Sequence, residues 1–357
     1  MNDEPGKIKI TLEEVGNVQG APPPPAFGGY SAPPPPPSGP RSYGRVNVSN
    51  EAPAMAAGGG GGPVYMQAWF YLGLAGLAGA FLAWAVCEPA FVDGAGGHER
   101  WGNTLIFPLM VILMSLGFGV AESIVERSFQ KVMLRGVLSL VVGAPLGFIF
   151  YFVANKVFGI GIGLVQELGV TSAENPVFWI ARAIAWVVFG VAGGAVYGVV
   201  GQSGKKCLFG IIGGVLGAGI GGLAFDPISR VLGTAALSRA FGMVVFGAAT
   251  GVAMGLVESA LKSRWLFVTA GPLAGKQFIL YKPVTTMGSR QGCDIYLFKD
   301  PSILPAHATI ELRGNKLWLS ASGGVLVNGQ QVQQRGLGTG DSIQIGRYSF
   351  SYQEKAR

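Results

Sequence analysis

Charged and metal-ligating side chains are scarce in this sequence. Only 13% of its 357 residues are Asp, Glu, Lys or Arg, against about 25% in a soluble domain. Half are hydrophobic and the mean hydropathy is +0.43, which makes lipid the expected solvent for much of the chain. Three isolated cysteines (Cys87, Cys207, Cys293) and two histidines (His98, His307), with no CxxC, are too few ligands for a zinc or haem site. No metal or other cofactor is expected, and the thiols read as buried structural groups. There is no Walker loop, no Ser-His-Asp order and no paired carboxylate motif, so no catalytic residue is assigned and an enzyme is not expected. Basic runs interleaved with aromatics are missing too, which argues against nucleic acid as a partner. More than sixty residues precede the first long apolar segment, so that segment is expected to be a retained span rather than a signal peptide.

Proline and glycine, by contrast, are plentiful and clustered. Residues 1–63 carry Pro22 to Pro25, Pro33 to Pro37 and Gly58 to Gly62. Proline blocks favour extended polyproline II and glycine runs are flexible, so this tail is expected to be a disordered spacer, with docking to a proline-recognising module as the alternative.

Residues 64–263 form a nearly continuous apolar block. A helix needs about 20 apolar residues to cross a bilayer, and six spans are expected at about 66–87, 103–121, 137–155, 178–200, 207–225 and 241–261. Small residues recur every fourth position. The fourth span has Gly190, Gly194 and Gly198, the fifth Gly213, Gly217 and Gly221, and the sixth Gly247, Gly251 and Gly255. Val111, Ser115, Gly119 and Ser139, Gly143, Gly147 occupy similar offsets in the second and third. Such spacing suggests a duplicated helix–loop–helix unit. Residues four apart share a helix face, and small residues let helices approach where lipid supplies no hydrophobic drive. The stripes are expected to be helix–helix seams; a glycine-lined pore is the alternative.

Charge between the spans sets orientation. Arg127, Lys131, Arg135, Lys205, Lys206, Lys262 and Arg264 lie on one side, and Arg100, Lys156, Arg230 and Arg239 on the other. The positive-inside rule then puts both termini in the cytosol, with a bacterial plasma or inner membrane as the expected location. Arg182, just inside the fourth span, is expected to snorkel to the outer interface.

From residue 264 the pattern changes to short alternating strands, among them KQFILY, HATIEL, KLWLSAS and DSIQIG, as in a β-sandwich. The segments GPLAGKQFIL, MGSRQGCDIYL, DPSILPAHATI, GGVLVNGQQV and GDSIQIGRYSF make residues 266–354 resemble a forkhead-associated (FHA) domain. The resemblance implies an eleven-stranded sandwich whose loops at one end bind phosphothreonine peptides. It places Ser289 after Gly288 where the family has arginine, with Arg290 one position late. Leu304 stands where the family has serine, Pro305 where it has arginine, and Gly323 where it has asparagine. His307 and the Asn328–Gly329 turn match the family and are implied to support the fold. A phosphate needs charge-assisted donors, which Leu304 and Gly323 do not offer, so the resemblance implies a degenerate pocket.

The fold class expected is therefore a multi-domain membrane protein: disordered tail, six-helix bundle with internal repeats, and an FHA-like sandwich over 264–357. The expected function is a non-enzymatic membrane scaffold that presents the module to a cytosolic protein or peptide in signalling, with homo-oligomers as a further option. A channel or small-solute transporter regulated by the module is the alternative.

Overall fold

The computed structural model describes residues 62–93, 100–169, 175–231 and 234–355. The proline blocks and residues 58–61 of the glycine run in the expected tail lie outside them, as does His98.

Six helices are long and apolar enough to cross a membrane: α1 (Ala68–Cys87), α2 (Trp101–Val125), α3 (Phe129–Glu167), α4 (Pro176–Val200), α5 (Gly204–Val231) and α6 (Ala235–Leu261). Each packs on the next in sequence, and α6 packs on α1, closing a ring. The interior is filled with side chains. The Trp186 ring meets Phe225 at 4.8 Å and Phe246 at 4.9 Å, both edge-on, and Phe107 stacks on Phe189 at 5.5 Å. Phe118, Met110 and Met254 are fully buried around them.

Small residues set how closely the helices pass. A Cβ on Gly247 would collide with the Gly76 carbonyl, and one on Gly76 with the Gly247 carbonyl. The same reciprocal pair recurs between Gly190 and Gly214. Gly251 and Gly255 face Leu72 and Trp69 of α1, while Gly194 and Gly198 face Gly210 and Cys207 of α5. Gly213, Gly217 and Gly221 face Met254, Thr250 and Phe246 of α6, and Gly143 and Gly147 face Ser115 and Pro108 of α2. The ring is thus three hairpins, α2–α3, α4–α5 and a split one made of α6 and α1.

The turns fix the register of the repeat. Arg127 and Gln202 both have positive φ, Ser128 and Ser203 follow them, and their hydroxyls accept from the backbone of Lys131 and Lys206. This pairs Gly147, against Pro108, with Gly222, against Ala183, one helical turn from the register suggested by Gly119 and Gly198. A four-residue stripe aligns with itself when slid by four, so glycines alone cannot choose.

Two further details depart from the hydropathy reading. Helix α3 has 39 residues, or about 58 Å at ~1.5 Å per residue, nearly twice a bilayer core of about 30 Å. Hydropathy marked its apolar part, whereas the helix continues because nothing in VANKVFGIGIGLVQE breaks it. Arg182 does not simply snorkel: Nη1 lies 2.6 Å from Asp226 Oδ1 of α5, with the guanidinium over the Phe225 ring. At the same end of the ring, Arg239 of α6 grips the Glu88 carboxylate through Nε at 3.1 Å and Nη2 at 2.6 Å, tying α6 to the end of α1.

The C-terminal residues form nine strands, β1 (Arg264–Ala270), β2 (Gln277–Ile279), β3 (Val284–Gly288), β4 (Ile295–Tyr296), β5 (Ala308–Arg313), β6 (Lys316–Val327), β7 (Gln330–Gly336), β8 (Ser342–Ile345) and β9 (Tyr348–Glu354). They pair, mostly antiparallel, in the order β2-β1-β9-β8-β6-β5-β3-β4, with β7 on β6. The resemblance implied eleven strands, and nine are present among the described residues; β6 (Lys316–Val327) runs through a register shift between Ser320 and Val325 and pairs with β5, β7 and β8. Alternation builds the core. In β8 (Ser342–Ile345) Ile343 and Ile345 point inward, and in β9 (Tyr348–Glu354) Tyr348, Phe350 and Tyr352 do so, while Gln344 is exposed and Ser349 and Ser351 are half-buried.

Replacing Gly247 with Val should lower bundle stability by about 1–3 kcal/mol or more through overpacking. Gly159→Ala, where a Cβ meets nothing within 4 Å, should be neutral or stabilising. Thermal unfolding of the detergent-purified chain measures both.

Candidate functional site: the loop edge and the bundle–module junction

One histidine organises the loop edge of the sandwich. His307 follows the 297–306 loop and precedes β5 (Ala308–Arg313). Its Nδ1 accepts from the Leu304 amide at 3.0 Å, and its Nε2 lies 3.1 Å from the Gly324 carbonyl. The tautomer with the proton on Nε2 satisfies both contacts. Its backbone carbonyl takes the Ser322 amide at 2.8 Å and the Gly323 amide at 3.2 Å. His307 therefore pins two loops together from a buried position, in keeping with a structural part.

The candidate pocket residues gather around it. The Ser289 amide donates to the Leu304 carbonyl at 3.0 Å and the Arg290 amide to the Pro305 carbonyl at 3.3 Å. Gly288 ends β3 (Val284–Gly288) against that same Pro305 carbonyl, which a Cβ would strike. Arg290 is exposed, and Leu304 turns an apolar side chain to solvent at 44% exposure. Gly323 lies against the His307 ring, and any side chain there would overlap the imidazole. An asparagine is excluded at this position unless the histidine moves. Asn328 and Gly329 stand apart from this edge. With φ of 53° and 78° they form the β6–β7 hairpin turn, where Asn328 bonds Ser342 N and Asp341 Oδ1.

The first loop of this edge also touches the bundle. Ser128 Oγ donates to the Gln291 carbonyl at 3.2 Å, and Gln291 Oε1 accepts from the Gln130 amide at 2.9 Å. Lys131 Nζ bonds the Asp294 carbonyl at 2.7 Å, and the Arg127 guanidinium stands 5.9 Å from the Phe298 ring centre. Asp294 braces the loop from within: its carboxylate accepts from Thr286 N and Oγ1 and from Lys282 Nζ, all at 2.9 Å. Burial alone would raise this carboxyl, but the Thr286 bonds and the Lys282 charge hold it below the usual carboxylate range.

Beside that contact lies a buried charge cluster which the sequence reading missed. Lys276, on the turn between β1 (Arg264–Ala270) and β2 (Gln277–Ile279), is only 1% exposed. Its Nζ sits 4.0 Å from both Glu122 and Glu126 of the bundle and against the Tyr71 and Phe278 rings. Glu126 also pairs with Lys131 at 2.8 Å. Glu122 takes Lys206 at 2.7 Å and Arg135 at 3.1 Å. Glu258, at the end of α6, accepts from Tyr197 at 2.9 Å and from Tyr281 of the module at 2.6 Å. Burial and the Glu258 charge push the Tyr281 hydroxyl well up, so it stays a donor. The signal lay in the repeated Ser-x-x-Lys after the second and fourth spans, Ser128 to Lys131 and Ser203 to Lys206.

Comparison with known proteins bears on the module alone. Residues 268–356 match the family model described as "Inner membrane component of T3SS, cytoplasmic domain", about a quarter of the chain. Over 93 residues the chain is 35% identical to the glycogen accumulation regulator GarA of Mycolicibacterium smegmatis, covering 25% of this chain and 58% of that protein. It is 36% identical over 93 residues to the oxoglutarate dehydrogenase inhibitor of Corynebacterium efficiens, covering 25% and 65%. The chain thus spans less than two thirds of the length of these relatives. Among solved structures, an FHA domain from Chlamydia trachomatis is 29% identical with a TM-score of 0.25, covering 26% of this chain and 99% of that one. The N-terminal FHA domain of S. cerevisiae Rad53p, in complex with a phosphothreonine peptide, is 21% identical with a TM-score of 0.25, covering 26% and 94%. The C-terminal region is an FHA-like domain, joined to a multi-span membrane region.

Two outcomes test this geometry. Lys276→Met leaves a buried acid pair short of one cation and should cost about 3–5 kcal/mol at the junction, read as faster amide exchange in the 271–276 turn and residues 126–131. For Asp294, whose carboxyl is depressed in the fold, stabilisation is complete above the ordinary carboxylate range and fades as pH falls through the lower folded value. The melting temperature of the unmodified chain should therefore drop more steeply than that of Asp294→Asn between about pH 5 and pH 2.

Proposed function

We propose that this chain is a non-enzymatic integral membrane scaffold. Its FHA-like module binds a cytosolic protein or peptide at the membrane, with both chain termini on the cytosolic side. The carrying observation is the loop edge: an FHA scaffold organised by His307, with Leu304, Pro305 and Gly323 where a phosphate would need donors. Arg290 is the one exposed cation among the candidate pocket residues. A phospho-independent contact is therefore favoured over phosphothreonine recognition, and the four positions Ser289, Arg290, Leu304 and Gly323 form its surface. A signalling role rests on likeness to the regulators named above. The aromatic filling of the bundle speaks for an anchor rather than a conduit.

The test uses the full chain in nanodiscs against a peptide library in threonine-phosphorylated and unphosphorylated forms. The expected result is a peptide bound equally in both forms and weakened by Leu304→Asp. A large gain from phosphate, abolished by Arg290→Ala, would instead assign a working phosphothreonine site.

A further inference from the structure

One carboxylate in the buried cluster has no cation within ion-pair distance among the described residues, and it borders a cavity. Glu122 and Glu126 each have a cation within 3 Å. Among the described residues none lies within 4 Å of Glu258, which is 3% exposed and meets only the two tyrosine hydroxyls. Glu258 lines a space of about 420 Å³ between the start of α1, the end of α6 and the β1–β2 turn. Lys262, one turn on and bonded to Gln277 Oε1, is the only cation among the described residues of its wall, and Glu122, Ser259, Gln67, Trp69 and Gln277 share the polar side. Such a space offers a negative point and a positive point to one occupant, at the depth where lipid headgroups lie.

Tyr71 is shared between this space and a second one. An apolar groove of about 500 Å³ runs between α1 and α2 on the outer face of the ring, from Tyr65 and Val125 near the module to Leu82 and Leu113 deeper in. Small residues such as Ala75, Ala78 and Gly117 form it, and Leu74, Leu82 and Ile124 beside it are more than half exposed. In a membrane this face meets acyl chains.

We propose that the two spaces form one site for an amine-bearing zwitterionic phospholipid of the module-side leaflet. Its ammonium pairs with Glu258, its phosphate with Lys262, and one acyl chain lies in the α1–α2 groove. A primary ammonium fits better than a quaternary one, because the Glu258 carboxylate bonds N–H donors, which a quaternary ammonium lacks. The site joins lipid to the surfaces that hold the module, independently of what the module binds.

The test is lipid retention by the full chain, followed by native mass spectrometry during delipidation of protein loaded with phosphatidylethanolamine, phosphatidylcholine or phosphatidylglycerol. Phosphatidylethanolamine should be held about tenfold more tightly than either of the others, and Glu258→Gln should remove that preference. Ala78→Phe, which fills the groove from an exposed position and leaves the polar space intact, should weaken retention of all acyl lipids. It decides the matter if Glu258→Gln does not fold. Equal retention of the three lipids, or retention unchanged in the folded variants, overturns the proposal. Competition by soluble phosphoethanolamine overturns it as well, since the polar space would then serve a free amine.

Discussion

Seven ionisable groups removed from water at one level of the molecule hold its two parts in register. Six of them, Glu122, Glu126, Glu258, Lys131, Arg135 and Lys206, belong to the bundle, and the seventh, Lys276, belongs to the module. Burying ions costs several kcal/mol each unless geometry and hydrogen bonds compensate, so such a cluster gives position more than net stability. A sandwich shifted by one residue against the helices would carry the buried Lys276 ammonium away from Glu122 and Glu126. The connection from Leu261 to Arg264 is only two residues long, which keeps the module's effective concentration at its docking surface high. The FHA-like domain is therefore a fixed extension of the bundle.

That fixation reaches the loop edge. Gln291 and Asp294, whose backbones the α2–α3 turn holds, sit in the same loop as Ser289 and Arg290. This loop is fastened from two directions, by Asp294 to β3 within the sandwich and by Ser128 and Lys131 from outside it. Among the described residues the opposite side of the edge, Leu304 and Gly323, is fastened within the sandwich, through His307 and the Ser289 amide. A partner seated across this edge would meet one rail set by the membrane bundle and one set by the module's own fold.

Much of this was legible because it rests on local periodicity. Six apolar runs of span length, four-residue stripes of small residues and alternating strands each follow from one rule applied over a short window. What escaped depended on distant pairs. Lys276 reads as one more surface lysine until β1 and β2 turn it toward Glu122 and Glu126, some 150 positions upstream. Asp226 looked unremarkable until α4 brought Arg182 beside it. The repeat register failed for a different reason, since a glycine stripe is degenerate under a four-residue slide and only the Ser128 and Ser203 turns break the tie. The identity of Gly323 was readable, but not why it must be glycine; that needed the position of the His307 ring.

The split hairpin of α6 and α1 has a consequence in time. Of these six helices α1 is made before the others, yet its reciprocal glycine contact through Gly76 waits on Gly247 of α6. Until α6 is inserted, α1 rests on α2 alone, and the ring is a five-helix arc with an open side. The strands of the module are made only after α6, so they emerge onto a bundle whose final seam has just been able to close. Ring closure thus adds Glu258 of α6, the partner of Tyr281, to a docking surface already begun by the α2–α3 turn.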